Sequence, residues 1–146
     1  MKSKKDVFKP EDKVETVIID RKTGKVKKIE GKNRWTRNAS AYVIQAFKFG
    51  GVNKVSYINL YDTNGNFIKA LAITWSDVTD TGTSFVFYAT VSDNSTDTYT
   101  VAYYSMDTGQ GVSLVSAMLT YTLPTPRTKG STDVLNIKWT LTFPYS

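Results

Sequence analysis

The 146-residue sequence contains no cysteine and no histidine. Without cysteine, the chain forms no disulfide bonds and no thiolate metal site. Without histidine, it lacks the side chain that most often acts as a general base near neutral pH and as a transition-metal ligand. A Ser-His-Asp triad, a cysteine nucleophile and an ordinary zinc site are therefore excluded, and we expect a non-enzymatic protein without a cofactor.

Glutamate is also scarce, and the carboxylates that remain indicate turns rather than acid–base chemistry. It occurs only at Glu11, Glu15 and Glu30, in a lysine-rich stretch. All later acids are aspartates beside Gly, Asn, Ser or Thr, where aspartate commonly closes a turn through the backbone. These aspartates are Asp62, Asp77, Asp80, Asp93, Asp97, Asp107 and Asp133.

Long apolar runs are missing as well. No stretch approaches the roughly 18 apolar residues that a membrane-spanning helix needs. Residues 1–10 lack the apolar region of a secretory signal, so we expect synthesis in the cytoplasm and no membrane span. The length is typical of one domain with its own core.

Positive charge is concentrated at the N-terminal end. Residues 1–54 hold 15 of the 19 Lys+Arg and 6 of the 13 Asp+Glu, a net charge of +9. Residues 55–146 hold the other 4 and 7, a net charge of −3. A basic segment on a mildly acidic body suggests contact with polyanions or with an acidic neighbouring surface. A solubilising or thermostabilising lysine segment is the alternative interpretation.

The first 54 residues predict an arm, a hairpin and the only helix. Residues 1–13 are charged and without periodicity, which predicts a flexible basic arm. Residues 14–30 predict a hairpin around Arg21–Gly24, with lysines that protect its edge from unwanted pairing. Residues 38–49 predict a helix with Asn38 as N-cap and Gly50-Gly51 as the stop. Its expected core stripe is Tyr42, Val43, Ala46 and Phe47.

From residue 55 onwards the pattern is that of strands. The predicted runs are 55–61, 67–75, 84–91, 98–106, 112–123 and 134–143, the fifth ended by Pro124 and Pro126. Threonines at alternate positions, such as Thr140 and Thr142, indicate exposed faces opposite apolar ones such as Leu141 and Phe143. Residues 14–146 therefore predict a single antiparallel β-sandwich domain, jelly-roll-like, with one short helix.

Two turns and a basic cluster offer possible contacts. Asp62–Asn66 and Asp93–Asp97 carry clustered oxygens, so calcium at subunit joints is a minor alternative to plain hairpin turns. Lysines of the arm could contact nucleic acid or a neighbouring subunit. A second group, around a tryptophan, could do the same, and for this group we favour the subunit. The candidate contact residues are Lys2, Lys4, Lys5 and Lys9 in the arm, and Lys32, Arg34, Trp35 and Arg37 in the second group.

The layout resembles small virion proteins of tailed bacteriophages and of archaeal viruses. The similarity lies in a charged hairpin leading into Gly31-Lys32-Asn33, a short helix, and a series of strands. It continues in Thr81-Gly82-Thr83, in the turn Asp93–Asp97, and in the closing stretch KGSTDVLNIKWTLTF, residues 129–143. Residues 59–62 and 101–104 depart from motifs that the phage proteins often carry.

The resemblance implies a structural role without catalysis. We expect a virion protein, made in the host cytoplasm, that forms a symmetric oligomer or lattice with copies of itself and with other virion proteins. The basic arm would reach a neighbour or packaged nucleic acid. The alternatives are a carbohydrate- or receptor-binding module at a fibre tip, which would use exposed tyrosines and tryptophans, and a subunit of a cell-surface filament.

Overall fold

The structure, a computed structural model, describes residues 11–34, 36–51 and 54–145, and in the first hairpin it describes side chains only at residues 17 and 19–28. The elements in chain order are β1 (Glu11–Ile19), β2 (Val26–Arg34), α1 (Arg37–Phe49), β3 (Tyr57–Tyr61), β4 (Phe67–Ala72), β5 (Thr74–Trp75), β6 (Thr79–Asp80), β7 (Ser84–Asp93), β8 (Tyr99–Asp107), β9 (Leu119–Lys129) and β10 (Leu135–Pro144). The predicted all-β class with one helix is confirmed. Residues 11–13, predicted as arm, belong to β1, and the rest of the predicted arm lies outside the described residues.

Within the described residues, all strand pairs are antiparallel and form three sheets. β1 and β2 form a hairpin of their own. One four-stranded sheet has the order β4-β3-β8-β9, and the second has the order β10-β7-β5 with β6 also paired to β7. β7 is thus the centre of the second sheet, since β10 covers one of its edges and β5 and β6 share the other.

The two four-stranded sheets share one hydrophobic core. Ile58 and Leu60 of β3 are fully buried in it, together with Phe87 of β7 and Leu141 and Phe143 of β10, each at most 1% exposed. The rings of Phe87 and Phe143 lie 5.7 Å apart between centroids. Burying one such side chain contributes about 1.5–3 kcal/mol, so this core is the main source of stability in the body.

The helix begins one residue earlier than the sequence predicts. Its N-cap is Thr36 and not Asn38, because Thr36 Oγ1 accepts a hydrogen bond from the backbone N–H of Ala39 at 3.2 Å. The predicted stop is confirmed: Gly50 closes the last turn and Gly51 has a φ of +63°, which favours glycine.

The predicted core stripe of the helix is half wrong. Tyr42 is 81% exposed and Ala46 is also exposed. The other two members pack against the core: Val43 and Phe47. The buried positions, spaced four apart, are Ser40, Ile44 and Lys48. Lys48 is buried because its Nζ donates to a backbone carbonyl, that of Ser76, at 2.6 Å, which a pattern of apolar residues does not reveal.

The strand predicted at residues 112–123 is wrong in position. Residues 108–118 form a loop that contains a 3₁₀ turn, Leu114–Ser116, and β9 follows it, running through Pro124 and Pro126. These prolines are accommodated because β9 is an edge strand whose register with β8 shifts between Val101 and Tyr103. An edge strand and a bulge both tolerate a residue without an N–H.

The strand predicted at residues 67–75 is divided between the two sheets. β4 pairs with β3, whereas β5 pairs with β7. The chain crosses between the sheets at Ile73, whose N–H donates to Ser56 O at 2.9 Å. The side-chain pattern is continuous through this crossing, so it carried no signal of the break.

Candidate functional site

The hairpin of β1 and β2 is closed by a turn that its sequence specifies. Asp20 Oδ1 accepts from the backbone N–H of Lys22 at 2.8 Å, and Asp20 O accepts from Gly24 N at 2.8 Å. Gly24 has a φ of +70°, a conformation that glycine adopts without strain. The two strands then pair without a register shift over all nine residues of each.

One face of this hairpin carries an apolar row, defined here as Val17, Ile19 and Val26. Ile19 and Val26 oppose each other across the ladder, and Val17 lies two residues from Ile19 on the same face. The exposed fractions are 49%, 62% and 63%, respectively. Every described side chain of the hairpin is exposed, so nothing in the described part of the chain covers the row. Such a row suits contact with another protein surface.

Of the predicted contact residues, few have described side chains. The arm lysines Lys2, Lys4, Lys5 and Lys9, and also Trp35, lie outside the described residues. The backbones of Lys32 and Arg34 lie in β2, opposite Lys13 and Glu11, but their side chains are not described. Arg37 alone is described in full.

Arg37 joins the start of the helix to the body. Its Nε and Nη2 donate to Asp80 Oδ2 at 3.0 and 2.9 Å, and its guanidinium carbon lies 5.3 Å from the ring centroid of Phe85. Tyr145 OH and the N–H of Gly82 donate to the other oxygen of Asp80. This ion pair holds Arg37 within the chain while its side chain remains 59% exposed, and its role as an outward contact stays a prediction.

The cluster also determines how Asp80 titrates. The hydrogen bond from Tyr145 lowers the pKa of Asp80 most, followed by those from Gly82 and Arg37, and together they bring the pKa from 3.8 to about 2. The pKa of Arg37 rises for the reciprocal reason. Asp80 is therefore ionised at any ordinary pH, which suits a structural carboxylate rather than a proton donor.

A second cluster holds the turn of residues 93–97. Lys69 Nζ, from β4, donates to Asp93 Oδ2 at 3.2 Å and to Asp97 Oδ2 at 2.7 Å. Tyr99 OH donates to Asp93 Oδ2 at 2.6 Å. Burial opposes ionisation of Asp93, but the hydrogen bonds from Tyr99, Ser95 and Lys69 outweigh it and hold the pKa of Asp93 below its ordinary value.

Lys129 holds the same turn from the other side. It is 4% exposed, and its Nζ donates to Ser95 O at 2.6 Å and to Asp97 O at 2.9 Å. The sequence pattern did not single out either lysine of this cluster. The available signal was their rarity, because Lys69 and Lys129 are two of only four cationic residues after position 54.

The clusters also bear on the calcium alternative. In the turn of residues 93–97, an ammonium group contacts the carboxylates that would bind the ion. At Asp62, Oδ1 accepts from the N–H groups of Asn64 and Asn66, each at 2.9 Å, as in a plain turn. Across the described residues, no group of three or more His, Cys, Asp or Glu side chains is placed to hold a metal ion.

A third cluster, whose side chains are fully buried, binds the loop of residues 108–118 to the outer face of β3 and β8. Asn59 Nδ2 donates to Ser105 Oγ and to Gly109 O, and Asn59 Oδ1 accepts from Gly111 N, each at 3.1 Å. Tyr61 OH contacts Ser105 Oγ at 3.0 Å and donates to Val112 O. β3 is thus buried on both faces, which its alternating sequence did not predict.

The described tryptophans belong to the body rather than to a surface platform. Trp75 is partly buried and donates from Nε1 to Val55 O at 3.0 Å, and Trp139 is 9% exposed. Tyr42, the most exposed of the described tyrosines, lies on the helix, whereas the exposed Tyr88 lies in a different element, β7. Among the described residues, Tyr104 and Tyr121 form a stacked pair of partly exposed rings, 6.0 Å apart between centroids, so the carbohydrate-binding alternative stays a prediction.

No protein-family model, curated protein or solved structure matches the chain. Within the described part, no helix has the length and apolar character that crossing a membrane requires.

Proposed function

We propose that this protein is a non-enzymatic structural subunit of a virus particle, which assembles with copies of itself and with other virion proteins. In this proposal the two four-stranded sheets are the layers of an antiparallel, jelly-roll-like sandwich. The hairpin and the basic arm reach a neighbouring subunit, or packaged nucleic acid in the case of the arm. The virion assignment rests on the resemblance of the sequence, and the assembly role rests on the surface of the hairpin.

The observation that carries the assembly role is the exposed apolar row on the hairpin. An isolated two-stranded hairpin is marginally stable in water, and this one exposes Val17, Ile19 and Val26 by about half or more. A neighbouring subunit that covers the row would supply the burial that the hairpin lacks. The surrounding lysines, Lys25, Lys27 and Lys28, are exposed and favour a neighbour of neutral or negative surface charge.

The solution mass of the chain tests this role. We expect sedimentation analysis to give a mass above 16.3 kDa that rises with protein concentration. The variant Val26→Asp places a charge in the apolar row and should weaken association by about tenfold or more, because an ionised carboxylate is costly to bury.

The matched control is Val115→Asp, the same change at a valine that is 95% exposed on the loop of residues 108–118. It should leave association unchanged. If Val115→Asp dissociates the assembly and Val26→Asp does not, the contact lies on the loop and the hairpin role is wrong. A strict monomer at high concentration would contradict assembly altogether and favour the binding-module alternative.

A further inference from the structure

The strand edges of the two large sheets differ in how well they are protected against pairing. β5 and β6 have two residues each, β4 has six with Lys69 among them, and β9 contains Pro124 and Pro126 next to a bulge. Short strands, lysine, proline and bulges are the usual protections of an edge. β10 has two of these, Pro144 at its last position and Lys138, whose Nζ lies 4.1 Å from the ring centroid of Tyr88, and neither interrupts the stretch from Thr140 to Phe143.

The register shows which backbone groups of β10 face its open edge. Tyr145 N donates to Thr83 O at 3.0 Å, and this pair continues the register in which Phe143 opposes Phe85. Opposed residues in an antiparallel ladder alternate between pairs that exchange both hydrogen bonds and pairs that exchange none. Odd-numbered residues of β10 therefore bond to β7, and even-numbered residues direct their N–H and C=O groups away from it.

The hydrogen bonds on the other edge of β7 agree with this assignment of odd and even residues. There Ser76 N donates to Tyr88 O at 2.9 Å, so even-numbered residues of β7 bond to β5 and odd-numbered ones to β10. The open edge of β10 then presents the backbone N–H and C=O of Asn136, Lys138, Thr140 and Thr142. No strand in the described part of the chain pairs with that edge.

Charge indicates which strand can occupy this edge. β1 carries four charged residues among nine and β2 carries five among nine, whereas β10 carries one, Lys138, among ten. A second β10 strand matches the first in length and is nearly neutral. In an antiparallel pair related by a two-fold axis centred on Trp139 or Thr140, Lys138 lies opposite a threonine of the second copy, so like charges are not opposed.

We propose that β10 is a self-association edge: two copies of the chain pair β10 with β10, antiparallel across a two-fold axis, and join their β10-β7-β5 sheets into one continuous sheet. This inference rests on the proposed assembly function and names one of its contacts. A two-fold contact is self-complementary, and it is the commonest symmetry of soluble oligomers. The hairpin remains available for a different neighbour, so the pair of copies is a building block of a larger assembly.

Hydrogen exchange on the unmodified chain tests the contact. The amides of Asn136, Lys138, Thr140 and Thr142 should become protected as concentration rises through the range in which the mass doubles. The amides of Ile137, Trp139 and Leu141 should be protected throughout, because they bond to β7. Fast exchange at the four even positions in an associated sample would overturn the β10 contact but leave assembly standing.

Two other exchange outcomes also decide the proposal. Protection of the four even positions that does not vary with concentration would mean that a segment of the same chain covers the edge, which overturns pairing between copies. A chain that is monomeric at every concentration would overturn both the contact and the proposed assembly function.

A proline variant tests the same edge independently. Thr140→Pro removes an N–H that faces the open edge and leaves the ladder to β7 intact, since edge strands tolerate proline at such positions. It should weaken association of the two copies by at least about tenfold, because each copy loses one hydrogen-bond donor at the contact.

The matched control is Thr140→Ala, which shortens the side chain and keeps the N–H, and it should associate like the unmodified chain. Circular dichroism and thermal unfolding check that both variants fold, and the exchange experiment stands alone should Thr140→Pro not fold. Equal association of both folded variants would overturn the β10 contact.

Discussion

The hairpin of β1 and β2 and the two-sheet body are built from the same kind of antiparallel ladder, yet they differ in burial. The hairpin pairs over nine residues in each strand, and all its described side chains are exposed. In the body, Ile58, Leu60 and Phe87 are at most 1% exposed. Backbone pairing defines local shape in both regions, but burial of apolar surface decides which region is stable by itself.

The burial of lysine side chains also differs between the two regions. Hairpin lysines such as Lys25 and Lys27 are exposed, whereas Lys129 in the body is 4% exposed and bonds to backbone carbonyls of the turn at residues 93–97. The described hairpin lysines thus contribute surface charge, whereas in the body a lysine such as Lys129 also holds a turn in place. Variants that change stability should therefore lie in the body, and variants that change association should lie in the hairpin or on the edge of β10.

The largest effect on stability is expected at Asn59, which is 0% exposed. Asn59→Ala leaves Ser105, Gly109 O and Gly111 N without this partner, and we expect a loss of about 2–4 kcal/mol in the free energy of unfolding. Denaturant unfolding measures the loss. Limited proteolysis should also cut the loop of residues 108–118 faster.

Two controls belong to that experiment. Asn64→Ala, at an exposed asparagine of a turn, should change the free energy of unfolding by less than about 0.5 kcal/mol. Ile19→Ala in the hairpin should also have little effect on the monomer. A loss at Ile19 as large as that at Asn59 would contradict the distinction between the two regions.

A somewhat smaller effect is expected at Lys129. Lys129→Met keeps most of the side-chain volume but leaves Ser95 O and Asp97 O without the ammonium donor, which should lower the free energy of unfolding by about 1–3 kcal/mol. Lys138→Met, at an exposed lysine over the ring of Tyr88, is the control and should lower it by about 0.5–1 kcal/mol. Equal losses of unfolding free energy in the two variants would mean that the buried ammonium of Lys129 stabilises the fold no more than a surface lysine does.

The smallest effect is expected at Asp80, and it depends on pH. Because the folded pKa of Asp80 is about 2, below the ordinary 3.8, its ionised form stabilises the fold above about pH 4, and this contribution disappears as the pH falls towards 2. Asp80→Asn should therefore lower Tm at neutral pH and make little difference near pH 2. The effect is small because the ion pair with Arg37 is solvent-exposed.

Asp77→Asn controls for the change in net charge, since Asp77 is an exposed aspartate outside this cluster. The difference in Tm between Asp80→Asn and the unmodified chain should become smaller as the pH falls. The difference in Tm between Asp77→Asn and the unmodified chain should not show this decrease. A difference for Asp80→Asn that is constant from pH 7 to pH 2 would show that the cluster does not lower the pKa of Asp80.

Much of the local structure follows from the sequence, because it depends on neighbouring residues. The turn roles predicted for the aspartates are confirmed at Asp62, Asp80, Asp93 and Asp133, whose side chains accept from backbone N–H groups up to four residues away. The alternation of Leu141 and Phe143 with Thr140 is also confirmed, with the apolar pair 1% exposed and Thr140 exposed.

Where the sequence misled, a distant part of the chain was responsible. Pro124 and Pro126 lie within β9 because of the bulge against β8, and β3 is buried on its second face because the loop of residues 108–118 covers it. Of the eight predicted contact residues, Arg37 is the only one with a described side chain, and its partner Asp80 is 43 residues away. No local pattern encodes such a pairing.

The sequence by itself determined the all-β class, the single helix, the turns and the separation of a basic N-terminal segment from a mildly acidic body. These follow from φ preferences, side-chain alternation and charge, which act over a few residues. Only the tertiary structure decided which lysines are buried, which strand is buried on both faces and which strand edge has no partner among the described residues. Those properties depend on contacts between residues far apart in the chain, where burial and long-range hydrogen bonding override local preference.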